Sequence, residues 1–133
     1  MKRIFAVNLW LGLLLLLAPT GCQKPDPTPI IRDRAQQLLV CLFKEQYDDC
    51  LKFCDPIYVR AQGSEKIKGQ LKFLSVIFKI AKITDKDIRI ETVNVFQDGK
   101  TAEVIPSLQV KNEWKPQKPM KWRFEDGQWY LAF

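Results

Sequence analysis

The sequence predicts an α+β domain in which N-terminal helices pack on a bent antiparallel sheet. Large apolar residues follow helical spacing up to about residue 83, and from residue 87 onward they alternate with polar residues. The second half also carries Asp-Gly pairs at 98–99 and 126–127, which are typical of hairpin turns. Together these patterns indicate helices first and a meandering sheet second.

Composition limits the function before any motif is considered. The chain has 133 residues, which predicts one domain, and its 21 Lys and Arg against 15 Asp and Glu give a formal charge of +6. It contains no His, so no side chain has an unperturbed pKa near neutrality. Ser-His-Asp and Cys-His nucleophilic machinery and every His-bearing metal site are therefore excluded.

The first 21 residues have the pattern of a secretion signal. Lys2 and Arg3 precede an apolar run from residue 4 to residue 18. As a helix this run would rise only about 22 Å, against roughly 30 Å of bilayer hydrocarbon. A cleaved signal peptide over residues 1–21 is therefore favoured over a membrane span.

Pro19-Thr20-Gly21-Cys22, at the end of this run, resembles the lipobox of bacterial lipoproteins. The resemblance implies that the Cys22 thiol carries a lipid and that cleavage leaves Cys22 as the first residue. Gln23, in place of an Asp, favours the outer membrane where the cell has one. The alternative is an ordinary cleaved signal with an incidental cysteine.

Residues 22–29 form a Pro-rich segment that predicts a semi-rigid tether between the membrane and the folded part. In a polyproline conformation, at about 3.1 Å per residue, its proline-alternating part at 24–29 would hold the domain some 20 Å from the bilayer. We therefore expect an exported, lipid-anchored protein whose domain covers residues 30–133.

Three helices are predicted in the first half of this domain. The first runs from about Ile31 to Gln46, a short second one ends near Cys54, and the third runs from Glu65 to about Ile83. Apolar residues cover more than half the circumference of the third helix, so we expect it to be packed on more than one side.

Four strands follow, with predicted spans 88–95, 102–110, 120–125 and a last strand that ends at residue 133. The apolar phase shifts between Ile90 and Val93, which indicates a β-bulge near Thr92. Pro106 cannot donate a ladder hydrogen bond and marks an edge or a second bulge.

The order of elements, the run EQYD at 45–48 and the run WRFEDGQWY at 122–130 resemble the nuclear transport factor 2-like superfamily over residues 30–133. The resemblance implies a curved antiparallel sheet that forms a cone around a pocket, with the helices closing one side. The candidate pocket-lining residues are Tyr58, Phe73, Phe96, Trp122, Phe124 and Trp129.

Enzymes of this superfamily use an Asp or His base inside the cone, often with a Tyr. Asp55, next to Pro56 and close to Tyr58, is the least unsuitable acid in this sequence, and its simpler interpretation is helix termination. A buried acid would need a raised pKa to act near neutral pH, and no residue pattern identifies one. We expect no catalytic residue.

Cys41, Cys50 and Cys54 remain once Cys22 is acylated. In a helical hairpin centred near Tyr47, Cys41 and Cys54 would lie at similar heights and could pair, since export permits disulfides. A bridge from Cys50 to Cys54 and three buried free thiols are the alternatives. A zinc site would need a fourth ligand, so we expect no metal and no cofactor.

Two basic groups are candidate contact surfaces. Lys68, Lys72, Lys79 and Lys82 form one stripe on the third helix, for which a solvated face is the simpler explanation. Trp114 stands among lysines that include Lys115 and Lys118, a pattern typical of a contact surface. Anionic lipid, a wall polymer or an acidic protein fits an exported protein better than nucleic acid does.

These observations predict a membrane-anchored envelope lipoprotein with a non-catalytic module that binds a small apolar ligand or a protein partner. The alternative is a lyase or isomerase of the polyketide-cyclase-like type that uses a buried carboxylate. A homodimer through the outer face of the sheet remains open, because superfamily members often pair there.

Overall fold

The computed structural model describes residues 25–133, so the predicted signal peptide, Cys22 and the first part of the tether lie outside the described residues. The helices are α1 (Thr28–Phe43), α2 (Tyr47–Cys50), α3 (Pro56–Gln62) and α4 (Ser64–Ile80). The strands are β1 (Ile88–Val95), β2 (Thr101–Val110), β3 (Glu113–Pro116), β4 (Met120–Glu125) and β5 (Gln128–Leu131). The α+β prediction is confirmed.

Helix α1 begins inside the segment predicted as tether. Pro27 is its N-cap residue and Pro29 lies in its first turn. The first turn of a helix leaves its backbone N–H groups without intrahelical partners, so a proline there costs no hydrogen bond. Helix α1 therefore includes residues 28 and 29, the last two residues of the predicted tether.

Helix α1 ends three residues earlier than predicted, in a Schellman motif. Glu45 has a positive φ of 58°, its N–H donates to the carbonyl of Leu42 at 3.1 Å, and the Gln46 N–H donates to the carbonyl of Cys41 at 3.0 Å. These bonds satisfy two carbonyls that the helix end leaves free and turn the chain into α2.

Helix α3 is absent from the sequence prediction, although its start has a clear signal. The Asp55 carboxylate accepts a hydrogen bond from the Ile57 N–H, and Pro56 occupies the first helical position. Asp at the N-cap with Pro directly after it is a common helix start. Helix α4 then begins after Gly63, which has a φ of 87°.

The sheet is antiparallel with strand order β1-β2-β4-β5, and β3 pairs with the second half of β2. The predicted bulge is confirmed, because the β1–β2 register shifts between Ile90 and Thr92. Strand β3 was missed and taken for loop. Pro106 lies at the point where β2 passes from its pairing with β4 to its pairing with β3, and on its other side it is opposite Ile90, beside the bulge.

The two Asp-Gly turns differ from one another. Asp126 and Gly127 both have positive φ and join β4 to β5 as a two-residue hairpin, as predicted. The loop between β1 and β2 is longer than predicted and spans residues 96–100. There the Asp98 carboxylate accepts from the N–H groups of Lys100 and Thr101.

One core lies between the helices and the inner face of the sheet. It is built from the apolar sides of α1 and α4 and from alternating residues of β1, β2, β4 and β5. Its largest member is Trp122, which is 1% exposed. The sheet therefore packs on the helices through a filled aromatic and aliphatic layer.

Candidate functional site

Asp55 is the most buried carboxylate of the described residues, at 8% exposure, and it is engaged by several donors. Nη2 of Arg123 lies 2.9 Å from Oδ2 and 3.0 Å from Oδ1 of Asp55, and the Ile57 N–H donates to Oδ1 at 3.0 Å. Glu125 also contacts Arg123 at 3.4 Å. A carboxylate held in this way stabilises the fold and is poorly placed to accept a proton from a substrate.

The three aromatic residues predicted for β4 and β5 lie on the same side of the sheet. Trp122 and Trp129 are both buried in the core, at 1% and 3% exposure. Phe124 lies at the end of β4, and its ring centroid is 5.5 Å from that of Trp129 in a tilted arrangement. Phe124 therefore contacts Trp129 from the exposed end of the strand, whereas Trp122 and Trp129 belong to the core between sheet and helices.

The other three candidate lining residues occupy separate places. Tyr58 stacks on Phe133, with ring centroids 4.4 Å apart. Phe96 is exposed at the end of β1, and Phe73 projects from α4 with 67% of its surface exposed. The structure therefore places the six predicted lining residues in different surroundings, with Trp122 and Trp129 in the core and Phe73 on the exposed side of α4.

A cleft of about 340 Å³ brings Phe96 and Trp122 together on the sheet. The paired segments 101–103 of β2 and 121–123 of β4 form its floor, and Ala132 completes it. Its volume falls at the small end of the range for ligand pockets. The charged side chains around it are Glu103, Lys121 and Arg123.

A second, polar cleft of about 540 Å³ lies at the corner between α1 and α2 and against α4. Its charged groups are largely paired: Lys68 binds Asp48 at 3.1 Å and Glu65 at 2.7 Å. Lys79, just beyond it on α4, pairs with Glu45. Two members of the predicted lysine stripe are thus engaged in surface ion pairs, which contribute little stability each.

The three cysteines gather at this corner and are present as free thiols. Cys50 and Cys54 are buried and Cys41 is half-buried. Burial raises the pKa of the Cys50 thiol to about 12, and the neighbouring Cys41 thiol adds to the effect. The Cys54 thiol donates to the backbone carbonyl of Cys50 at 3.5 Å, and the predicted pairing of Cys41 with Cys54 is not formed.

Trp114, the centre of the predicted basic contact surface, is covered on one face. The guanidinium of Arg89 lies 4.2 Å from its ring centroid, as a cation–π contact between β1 and β3. Lys115 and Lys118 beside it are exposed. One face of the Trp114 ring is therefore used in a contact between β1 and β3.

Helix α4 has an exposed apolar side opposite its buried side. Phe73 and Ile80 are 67% and 78% exposed, and Val76 is also exposed. Gly69 lies on the same side, and a Cβ added to it would meet no atom within 4 Å. The four residues are spaced at intervals of four, three and four along the helix. We call these four residues, Gly69, Phe73, Val76 and Ile80, the outer α4 face.

Sequence reasoning missed the partner of Asp55 and the outer α4 face as a distinct surface. Arg123 carried no signal, because it lies 68 residues from Asp55 in the sequence and no local pattern links the two. The α4 surface did carry one, since its apolar residues were too many for one buried stripe. Arg34 was missed as well: its Nε donates to the Trp129 carbonyl at 2.6 Å and joins α1 to β5.

Residues 25–133 bring no three Cys, Asp or Glu side chains together in a way that could hold a metal ion. Within the same range, none of the helices combines the length and the apolar character that crossing a membrane requires.

No protein-family model matches the sequence, and no curated protein matches it. Among solved structures, the chain is similar to a crystal structure from Campylobacter jejuni named as a proposed NTF2-like transpeptidase. The two share 13% sequence identity with a TM-score of 0.57, over 76% of this chain and 95% of that one. At this identity the likeness concerns the fold alone, and it shows that this chain has the NTF2-like fold.

Proposed function

We infer that this protein is a lipid-anchored lipoprotein of the cell envelope, and that its NTF2-like domain is a non-catalytic module that binds a partner protein. The anchor is supported by the positively charged start, the short apolar run and the small residues before Cys22. With α1 beginning at Thr28, the tether is residues 22–27, which in an extended conformation spans about 19 Å.

The non-catalytic part of the proposal is supported by the state of Asp55. A general base must be within reach of its substrate, but Asp55 is only 8% exposed and its two oxygens are engaged by Arg123 and by the Ile57 N–H. The chain has no His that could replace it. A lyase or isomerase of the superfamily type would require a different acid.

The outer α4 face carries the proposal of a protein partner. Spacings of four, three and four residues are those of the apolar seam by which one helix packs against another. Gly69 leaves a recess on this face, and the exposed Ile80 side chain protrudes from it. A partner helix could therefore place a side chain in the recess and receive Ile80 between its own side chains. A contiguous exposed apolar strip of this kind is typical of an interaction site.

Charge beside the strip favours an acidic helix as its occupant. Lys66 and Lys72 flank the outer α4 face, and both are exposed. In a symmetric pair of copies the same face would meet itself, and the side chains of Lys72 would approach one another near the axis. An amphipathic helix with Asp or Glu beside its apolar stripe instead complements the lysines.

A photo-reactive phenylalanine analogue placed at position 73 of the full chain, in cells of the source organism, tests this function. We expect a covalent adduct with one other protein, which Ile80→Ser and Lys72→Glu both weaken. The matched control is the same analogue at Phe96, which is exposed on the sheet at the Phe96–Trp122 cleft. Adducts at position 96 alone would favour the cleft as the binding site. Adducts at position 73 with lipid only, or with a second copy only, would overturn the acidic partner.

A further inference from the structure

Two backbone hydrogen bonds, both made by Gln46, link Cys41 to Cys50. The Gln46 N–H donates to the carbonyl of Cys41 at 3.0 Å, and the Cys50 N–H donates to the carbonyl of Gln46 at 3.0 Å. The first bond belongs to the turn that ends α1, and the second is the first turn of α2. The Schellman turn thus brings the last turn of α1 against α2, and Cys41 is a close enough neighbour of Cys50 to help raise the pKa of its thiol.

Cys54 is committed to different neighbours. Its backbone forms a parallel bridge with Leu131, and its N–H donates to the carbonyl of Leu51 at 3.1 Å. Its thiol donates a hydrogen bond to the carbonyl oxygen of Cys50, with 3.5 Å between sulfur and oxygen. The sequence-based hairpin placed Cys54 opposite Cys41, but the chain turns after Phe53 and joins the edge of β5 instead.

We propose that Cys41 and Cys50 form a disulfide bond in the exported protein, and that Cys54 remains a buried thiol. The proposal rests on export, as part of the proposed function. The oxidant is the disulfide of a thiol–disulfide exchange protein of the envelope. Each cysteine thiol loses one hydrogen, the Cys41–Cys50 S–S bond forms, and the two electrons and two protons reduce the oxidant's disulfide to two thiols.

The difference in burial between the two thiols sets the order of the steps. Cys41 is half-buried and is the accessible nucleophile, so it forms the mixed disulfide, which Cys50 then resolves. In the folded corner, burial holds the Cys50 thiol protonated at neutral pH. Burial therefore leaves Cys50 to act second, after exchange at Cys41 has formed the mixed disulfide, and the finished bond is shielded from reductants on its Cys50 side.

The bond would close a loop of ten residues, 41–50, around the polar cleft beside α4. Five residues that line this cleft, 45–49, belong to that loop. A covalent link between the two ends of the loop would limit how far it can open. The disulfide would thus stiffen one wall of the polar cleft and the adjoining end of α1.

Trypsin cleaves after Lys and Arg, so it releases each of the three cysteines in a separate peptide: 35–44, 45–52 and 53–60. Mass spectrometry of the digest therefore shows which two cysteines are linked. The full chain, exported with its own signal, is denatured and alkylated with iodoacetamide before reduction and with N-ethylmaleimide after it. We expect peptides 35–44 and 45–52 to be linked in the unreduced digest, and peptide 53–60 to carry only the first label. A link that includes peptide 53–60, or the first label on all three peptides, would overturn the proposal.

Variants separate the bond from the fold. Cys41→Ser and Cys50→Ser should each lower Tm by roughly 10 °C, and dithiothreitol should lower the Tm of the native chain to the same value and leave both variants unchanged. Cys54→Ser is the matched control and should keep the linked peptides. If the chain is found in the cytoplasm without acyl groups, the proposed function fails. Oxidation of the purified chain by glutathione disulfide would then still report which two cysteines pair.

Discussion

Arg123 on β4 holds Asp55 at the start of α3, with one guanidinium nitrogen 2.9 Å from one carboxylate oxygen and 3.0 Å from the other. The pair connects residues 68 positions apart and closes the end of the sheet where β5 meets the chain before α3. Because Asp55 also caps α3, one carboxylate serves both a helix end and a strand.

Asp55→Ala should therefore lower the free energy of unfolding by about 2–3 kcal/mol. The change removes the N-cap of α3, which contributes about 1 kcal/mol, and leaves the Arg123 guanidinium with only the longer contact to Glu125, at 3.4 Å. The second contribution is reduced because the Arg123 side chain is still one-third exposed. Urea denaturation followed by circular dichroism measures the difference.

Asp48→Ala is the control for this experiment. Asp48 also accepts an ion pair, from Lys68 at 3.1 Å, but its side chain is 88% exposed. Its loss should change the stability by less than about 0.5 kcal/mol. Equal decreases in the free energy of unfolding of the two variants would show that the Asp55–Arg123 pair stabilises the fold no more than an exposed surface ion pair does.

The sheet was predictable from the sequence where a local rule determines it. The shift of apolar phase after Ile90 placed the bulge correctly, and Asp126-Gly127 placed the last hairpin. Strand β3 has no such alternation, and it contains a proline at residue 116. It is a strand because it pairs with β2, a contact that its own sequence does not predict. Local pattern and tertiary pairing thus explain different parts of the same sheet.

The candidate sites were less predictable than the fold, for a physical reason. The alternation of apolar and polar residues correctly predicted that Trp122 and Trp129 face the helices. Alternation alone does not distinguish a side chain that lines a cavity from one that fills it. That outcome depends on whether the helices approach closely enough to pack on the rings. Likewise, the proximity of Cys41 to Cys50 depends on a turn at Glu45 whose positive φ no sequence rule requires.

Helix α4 offers a direct comparison between its two apolar sides. Phe73→Ser should leave the stability within about 0.5 kcal/mol of the native value, because the ring is two-thirds exposed. Leu71→Ala, on the buried side of the same helix, should cost about 2–5 kcal/mol. Both values come from thermal or urea unfolding of the purified chain.

The outcome of that comparison bears on the proposed function. If Phe73→Ser abolishes the photo-crosslinking signal of an analogue placed at Ile80 and leaves the fold intact, the outer α4 face acts in binding. A large loss of stability in Phe73→Ser would show instead that the ring is packed inside the protein.

The loop at residues 96–100 should respond to acid through Asp98. The backbone N–H of Lys100 and, after it, the hydroxyl of Thr101 hold the pKa of Asp98 below its ordinary value. A carboxyl whose pKa is lower in the folded state stabilises the fold above its unfolded pKa, near 3.8, and this contribution is lost as the pH falls through the folded value. The protection of the Lys100 and Thr101 amide protons, measured against their intrinsic exchange rates at each pH, should therefore decrease below about pH 4.

Hydrogen exchange followed by nuclear magnetic resonance tests this pH dependence. Asp98→Asn should remove the acid-induced change at these two amides, whereas Asp126→Asn, in the other hairpin, should preserve it. An unchanged acid response in Asp98→Asn would assign the effect to another group.

The anchor predicts a defined chemical change at Cys22. The mature chain should begin at residue 22 and carry acyl chains there, and Cys22→Ser should release the protein from the membrane fraction, since several acyl chains bind a bilayer far more tightly than one does. Intact-mass measurement of detergent-extracted protein and cell fractionation are the two assays. A Cys22→Ser chain that is cleaved normally and stays in the membrane would contradict the lipoprotein proposal.

Alkaline solution should destabilise the fold through Cys54. Burial raises the pKa of this thiol from 9.0 to about 11, so above pH 9 the unfolded chain releases the proton while the folded chain retains it. The free energy of unfolding should then fall by about 1.4 kcal/mol per pH unit between pH 9 and pH 11 from this group. Lysine and tyrosine side chains titrate in the same range, so the measured quantity is the difference between the native chain and Cys54→Ala in matched buffers. The two stability curves should converge as the pH rises, because the variant lacks the buried thiol, and parallel curves would mean that the Cys54 thiol ionises as easily inside the protein as outside it.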